Sequence, residues 1–169
     1  EIPLRLVGSE MCIRDSTYIV PAFSGLGAPW WRDDIYASIS GMSRTTGREE
    51  IVKAGCECIA YQINDVIDAM RKDSKIDISQ MCVDGGPTRN KYLMQFQSDI
   101  SQTEVKIPDA EELSVIGAGY LAGESAGYYD PDDIYKAITY NFFETKMQEQ
   151  ERSEKVHGWN EAVEMLLKK

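Results

Sequence analysis

Residues that commonly build metal sites are scarce in this sequence of 169 residues, which has one histidine and four cysteines. The cysteines, Cys12, Cys56, Cys58 and Cys82, show neither the CxxC nor the cysteine-histidine spacing of a zinc site. Cys56 and Cys58 lie two residues apart in a predicted helix and so point in different directions. The pattern predicts unpaired thiols in a reducing compartment, so the cytoplasm is the expected location. The histidine, His157, is expected to be an ordinary surface or packing residue.

Long apolar runs are also missing. No segment approaches the roughly 20 apolar residues that a membrane-spanning helix needs, and residues 1–16 lack the apolar core of a signal peptide. The net charge is −10, and the lysines and arginines are scattered between acidic residues rather than gathered in a stripe. We therefore expect neither a membrane span nor a nucleic-acid partner.

What the sequence contains is the composition of a globular domain, with 43% hydrophobic and 27% charged residues. Strand and helix patterns alternate along it. Predicted strands cover 18–20, 37–41, 76–83 and 104–107, and predicted helices cover 46–72, 88–101, 114–127, 132–140 and 153–169. This order predicts one α/β unit with a helical tail.

Two of the predicted helices carry distinctive signals. Thr46 followed by Glu49 has the spacing of a capping box, which predicts a helix start at that point. Residues 114–127 are rich in glycine and alanine, a composition that forms a poor helix on its own. We therefore expect this second helix to pack tightly against another element.

The most informative local pattern is a predicted strand that runs into Asp84-Gly85-Gly86, followed by Pro87 and a helix. A Gly-Gly turn ahead of a helix lets the backbone approach a ligand where any Cβ would collide, with the positive end of the helix dipole facing it. This geometry suits a nucleotide, although a plain turn has the same sequence. The GxGxxG and GxxxxGK[ST] motifs are absent, which argues against dinucleotide and P-loop sites.

Three blocks, in order, resemble the C-terminal domain of the glycerol kinases within the FGGY carbohydrate kinases. They are VPAFSGLGAPWW at 20–31, DGG at 84–86 and LMQFQSDI at 93–100. Residues 37–57 and 113–127 are also similar to that family. The resemblance implies an α/β fold, the C-terminal domain of an actin-like, ribonuclease H-like ATPase with a helical tail, over residues 17–169.

In such enzymes two domains close over a cleft, and MgATP delivers its γ-phosphoryl group to a primary hydroxyl of glycerol, giving glycerol 3-phosphate. The cofactors implied are ATP and Mg²⁺, the substrate is glycerol or a related polyol, and the full-length protein is expected to form homo-oligomers. Two alternatives stay open. One is another FGGY sugar kinase, such as a xylulose kinase, and the other is a non-catalytic actin-like nucleotide-binding module.

By the same resemblance, Gly86 lies against the nucleotide and Asn90 hydrogen-bonds its adenine side. Gly85 and Asp84 share the turn, although Asp84 suits equally well a structural role as an acceptor for backbone N–H groups. The general base and the phosphate loop are expected outside this chain. We therefore assign no catalytic residue here and expect the chain to be inactive alone.

Two further groups of residues admit competing interpretations. Trp30 and Trp31 follow a Gly/Pro loop and are expected to be packing anchors rather than ligand contacts. Asp130, Asp132 and Asp133 suggest a metal site, but their charges fit the start of a helix better because the dipole favours them there.

Residues 1–16 show no helical or strand period and no likeness to the family, whereas the resemblance begins sharply at Thr17. We predict that this segment is non-native and fused to a truncated gene; the alternative is a divergent natural arm. On the first interpretation, deleting it leaves the unfolding midpoint of residues 17–169 nearly unchanged.

Overall fold

The computed structural model describes residues 17–109, 113–128 and 138–168. Where the sequence pattern predicted one α/β unit, the chain divides into two compact units. The described part of the first is 17–69 with 148–168, and the second lies within Met70–Met147. Residues 1–16 and the aspartates at 130, 132 and 133 lie outside the described residues, so the predictions made for them stay predictions.

The elements are short strands and mostly long helices. In chain order they are β1 (Tyr18–Val20), β2 (Ser38–Ser40), α1 (Arg48–Ser74), β3 (Gln80–Cys82), a 3-10 helix (Gly86–Arg89), α2 (Lys91–Ser101), β4 (Glu104–Pro108), α3 (Leu113–Ser125), β5 (Tyr140–Phe143) and α4 (Glu149–Leu167). Among the described residues, no helix combines the length and apolar character needed to cross a membrane.

The first unit packs around aromatic side chains. β1 and β2 pair antiparallel, with Ile19 opposite Ile39. The ring of Tyr61 in α1 stacks on that of Trp159 in α4, with centroids 5.1 Å apart, and both side chains are buried. Gly158 makes room for the ring of Tyr18, which a Cβ at that position would strike. These contacts bury the aromatic face of α1.

The start of α1 corrects the predicted capping box by one residue. The helix begins at Arg48, and the backbone N–H of Gly47 donates to Glu50 Oε2 at 2.7 Å. Thr46 Oγ1 instead accepts from the N–H of Ser43 at 2.8 Å, inside the preceding turn. The Thr46-Glu49 prediction was therefore wrong, because the turn holds the threonine hydroxyl and the next carboxylate along takes over the reciprocal bond.

The second unit contains a sheet with strand order β3-β4-β5. β3 runs parallel to β4, with α2 between them in the chain, and β5 is antiparallel to β4. Apolar side chains of α2 and the central strand are buried together: Leu93, Phe96, Ile100 and Val105. This parallel pair, joined through a helix, is what fixes the position of the turn between β3 and α2.

Two expectations for this unit need correction. The predicted helix 132–140 does not reach its predicted end: residues 138 and 139 are not helical and the strand β5 begins at Tyr140, while residues 132–137 lie outside the described ones. The glycine-rich helix α3 forms, but it is not tightly packed: Val115 and Leu121 are exposed, and a Cβ added at Gly117 would meet nothing within 4 Å.

Candidate functional site

The candidate site is the turn that connects β3 to α2. The parallel ladder extends one residue beyond β3, since the N–H of Val83 donates to the carbonyl of Lys106 at 3.0 Å. Gly85 then has φ 95° and ψ 177°, a backbone conformation that only glycine adopts without strain. The sequence needs a glycine there for the chain to reverse out of the strand.

A short helical segment follows and directs the turn toward α2. Pro87, at the start of the 3-10 helix, sets the helical backbone angle without needing a hydrogen-bond partner for its nitrogen. Thr88 fixes the turn twice, because its N–H and its hydroxyl donate to the Gly85 carbonyl at 3.1 and 2.7 Å. Asn90 then caps α2, with its Oδ1 accepting from the N–H of Leu93 at 3.2 Å.

The chemistry available here is that of backbone and helix terminus. Gly85 and Gly86 are exposed, and a Cβ added at Gly86 would meet nothing within 4 Å, so the backbone of the turn is accessible. The 11-residue helix α2 directs its positive end toward the same place. Such an arrangement accepts anionic or polar groups of a ligand.

The structure brings all the predicted site residues into this turn and restricts two of their roles. The Oδ1 of Asn90 is committed to capping, which leaves the donor side of its amide to face a ligand. Asp84 is exposed, and none of the described residues donates a hydrogen bond to its carboxylate. The structural acceptor role considered for Asp84 is therefore not seen.

An arginine that the sequence did not single out braces β3 and α2 at their ends away from the turn. Arg71 donates to the carbonyl of Ser101 at 2.9 Å, to the carbonyl of Ile78 at 2.8 Å and to Thr103 Oγ1 at 2.8 Å. Ile78 lies just before β3, Ser101 ends α2 and Thr103 follows it. One guanidinium thus ties the start of β3 to the end of α2. The sequence gives no sign of this role.

The tryptophan pair divides between the two interpretations. Trp30 is a packing anchor: it is half-buried and donates to Asp65 Oδ2 at 3.3 Å, the same oxygen that accepts from Trp159 at 2.9 Å. Trp31 is 79% exposed, so it is not a packing anchor among the described residues of its unit. Sequence reasoning missed Asp65, since a single aspartate in a helix gives no sign of two indole donors.

The remaining candidates have ordinary surroundings. His157 is exposed on α4, 3.4 Å from the carboxylate of Glu161, as expected for a surface residue. Burial raises the pKa of the Cys58 thiol to about 11, which makes it a poor nucleophile. Within 17–109, 113–128 and 138–168, the cysteines are unpaired, and no group of three acidic, histidine or cysteine side chains is placed to hold a metal.

Comparison with known proteins identifies relatives over nearly the whole chain. The model of the FGGY family of carbohydrate kinases, C-terminal domain, matches residues 12–126, and so begins inside segment 1–16. A glycerol kinase of Natranaerobius thermophilus is 46% identical over 156 residues, which cover 90% of this chain and 31% of the relative. For a glycerol kinase of Staphylococcus haemolyticus the identity is 41%, over 89% of this chain and 30% of the relative. The chain thus spans about a third of the length of the curated relatives it matches.

Solved structures give the same picture. The crystal structure of Plasmodium falciparum glycerol kinase with ADP superposes with a TM-score of 0.82 and 40% identity, over 90% of this chain and 31% of that one. A xylulose kinase from Brucella ovis superposes with a TM-score of 0.71 at 21% identity, over 89% and 30%. The second likeness is one of fold alone.

Proposed function

Since this chain belongs to the FGGY family of carbohydrate kinases, as a C-terminal domain with an actin-like α/β fold, we propose that it is the nucleotide-binding part of a glycerol kinase. The full-length protein would transfer the γ-phosphoryl group of ATP to a primary hydroxyl of glycerol. The observation that carries this proposal is the identity of more than 40% to glycerol kinases over about nine tenths of the chain.

The alternative sugars have weaker support. The xylulose kinase resembles this chain at a level where fold persists but substrate changes. The sequence identity of this chain is 46% to the glycerol kinase of Natranaerobius thermophilus but 21% to the xylulose kinase. Glycerol is therefore the polyol that we propose as the substrate. For the full-length protein we also expect a cytoplasmic location and self-association.

The turn at 84–86 is where we place the nucleotide. Positive φ at Gly85, the open space beside Gly86 and the positive end of α2 together leave the backbone of the turn accessible to a polar or anionic ligand group. Asn90 uses Oδ1 for its cap, so its amide hydrogens are the group that we propose for a contact with the nucleotide. These features support contact with the adenosine portion of ATP.

The reaction needs groups beyond these. The hydroxyl oxygen of glycerol forms the new P–O bond, its proton passes to a base, and the bond to ADP breaks as ADP leaves with the electron pair. The described residues offer neither a metal-binding cluster nor a residue that we can place as this base. We therefore treat MgATP as a co-substrate, assign Mg²⁺ to no residue of this chain, and place the base in the part of the polypeptide outside it.

Substitution in the turn of the full-length protein tests the nucleotide site. Gly86→Val fills the open space without a clash in this chain, so it should raise the Kd for ATP by about tenfold or more while glycerol affinity changes by less than about twofold. Asn90→Ser keeps a capping oxygen and removes the amide, and should act in the same direction. Gly27→Val, also in open space, serves as the control.

Two outcomes of that experiment decide the assignment. Unchanged ATP affinity in both Gly86→Val and Asn90→Ser would remove the turn from the nucleotide site. ATP binding without phosphoryl transfer to any polyol by the full-length protein would favour the non-catalytic actin-like module instead. The 169-residue chain itself should show no glycerol phosphorylation, and turnover by pure chain would contradict the placement of the base.

A further inference from the structure

The helix α1 has an apolar face that the described residues of its own unit leave partly exposed. Five side chains form this exposed stripe, at alternating intervals of four and three residues: Val52, Cys56, Ile59, Ile63 and Val66. Three of them are 39%, 42% and 36% exposed (Val52, Ile59 and Val66), and the other two are half-buried. At 100° per residue the stripe occupies a narrow arc of the helix surface.

The charges of α1 lie elsewhere on the helix. Between residues 51 and 69 the charged side chains are Lys53, Glu57, Asp65 and Asp68, and none belongs to the stripe. Glu57 is buried and lies 3.9 Å from the ammonium group of Lys53, while Asp65 accepts hydrogen bonds from tryptophans. A helix on a protein surface normally shows the opposite arrangement, with charge toward water. α1 has the composition of a helix covered on two sides.

We propose that the exposed stripe is covered, in the full-length protein, by an α-helix from the part of the polypeptide outside this chain. This proposal rests on the proposed function, because it takes the full-length protein to be as long as its kinase relatives. Alternating spacings of four and three are those of a seam between two helices, where side chains from each fit between those of the other. Two positions that flank the stripe, Gln62 and Ala69, are uncharged, so a second helix that docks there buries no charge of α1 at these positions.

The size of the stripe favours an intramolecular partner over a second copy of the chain. From Val52 to Val66 the helix rises about 21 Å, and five side chains fall far short of the roughly 20–30 residues a side of a stable interface between separate proteins. A helix in the same polypeptide does not lose translational freedom when it docks, so a short seam suffices. More than half of the length of the kinase relatives lies outside the matched part and is available to supply it.

Cysteine labelling of the full-length protein tests the proposal. Ile59→Cys places a thiol in the middle of the stripe, and Met165→Cys places one at an exposed position of α4 as a matched control. Alkylation rates are read by peptide mass spectrometry and compared with those in urea-unfolded protein. We expect protection of at least about tenfold at position 59 and less than about threefold at position 165, while in the 169-residue chain both positions label readily.

The other outcomes each overturn the proposal. Rapid labelling at position 59 in the folded full-length protein would leave the stripe uncovered, and equal protection at both positions would make the effect unspecific. Protection in the 169-residue chain that depends on its concentration, with a dimeric mass in solution, would assign the stripe to a second copy. Kinase activity is measured on the same samples, so a protected but inactive protein would refute the proposed function and not the helix seam.

Discussion

Replacing Asp65 by asparagine should stabilise this chain at neutral pH. Burial raises the pKa of the Asp65 carboxyl from 3.8 to about 6; the indole N–H groups of Trp159 and Trp30 oppose that rise, and the charge of Asp68 adds to it. Both indoles donate to the same oxygen, Oδ2. An asparagine oxygen can accept both hydrogen bonds and carries no charge to desolvate.

The direction of the pH effect follows from that raised pKa. Because the folded chain binds the Asp65 proton more tightly than the unfolded chain, the contribution of this residue is present below pH 4 and is lost as the pH rises through about 6. The difference between 3.8 and about 6, at about 1.4 kcal/mol per pH unit, corresponds to about 3 kcal/mol. At pH 7.5 Asp65→Asn should therefore increase the free energy of unfolding by up to about 3 kcal/mol, and near pH 4 the two proteins should be similar.

Urea unfolding followed by tryptophan fluorescence, from pH 4 to 7.5, measures both quantities. Asp68→Asn, on the next turn of the same helix and exposed, is the matched control: it removes only the smallest cause of the raised pKa of Asp65, so its effect should be much smaller than that of Asp65→Asn. Other carboxylates titrate in the same range, so the informative quantity is the difference between variant and parent at each pH. A difference that stays constant with pH, or a less stable Asp65→Asn at pH 7.5, would refute the reasoning.

Three local substitutions are tested by the same unfolding measurement at pH 7. Gly85→Ala puts a Cβ on backbone with φ 95° and should cost about 1–3 kcal/mol, whereas Gly86→Ala should cost less than about 1 kcal/mol; equal costs would contradict the turn geometry. Glu50→Ala removes the acceptor of the Gly47 N–H and should lower the free energy of unfolding by about 1 kcal/mol. A larger loss in Glu49→Ala would instead support the capping box predicted from the sequence. Asp99→Ala removes the carboxylate that accepts hydrogen bonds from two backbone N–H groups and from a glutamine side chain. It should lower the free energy of unfolding by about 2–4 kcal/mol, and an unchanged value would contradict these hydrogen bonds.

Local periodicity predicted the helices well where apolar side chains recur along one buried face. α1 ends at Ser74, near the predicted end at residue 72, because apolar side chains recur at helical spacing up to that point. β1 and β4 also lie where alternation and a following proline placed them. The Gly-Gly turn was predicted from the same local logic, since positive φ after a strand requires glycine.

What the sequence could not predict depends on partners distant in the chain. β5 is a strand because Phe143 and Phe142 pair with Val105 and Lys106, which lie far earlier in the sequence. Asp99 is buried because it receives the N–H groups of two residues after β5. No periodicity within a short window carries such information, and tertiary pairing overrides local propensity.

The block at 20–31, which carries much of the family resemblance, is largely an architectural element in this structure. A Cβ at Gly25 would strike the carbonyl oxygen of Arg32, and Leu26 and Arg32 exchange backbone hydrogen bonds of 2.7 and 3.0 Å. Trp30 is bound to the Asp65 carboxylate. Substitution of Gly25 or Trp30 would therefore disturb the loop before it revealed anything about a ligand, whereas Gly27 faces open space. The turn at Gly86 has space where Gly25 has none, which makes it the position at which binding can be separated from folding.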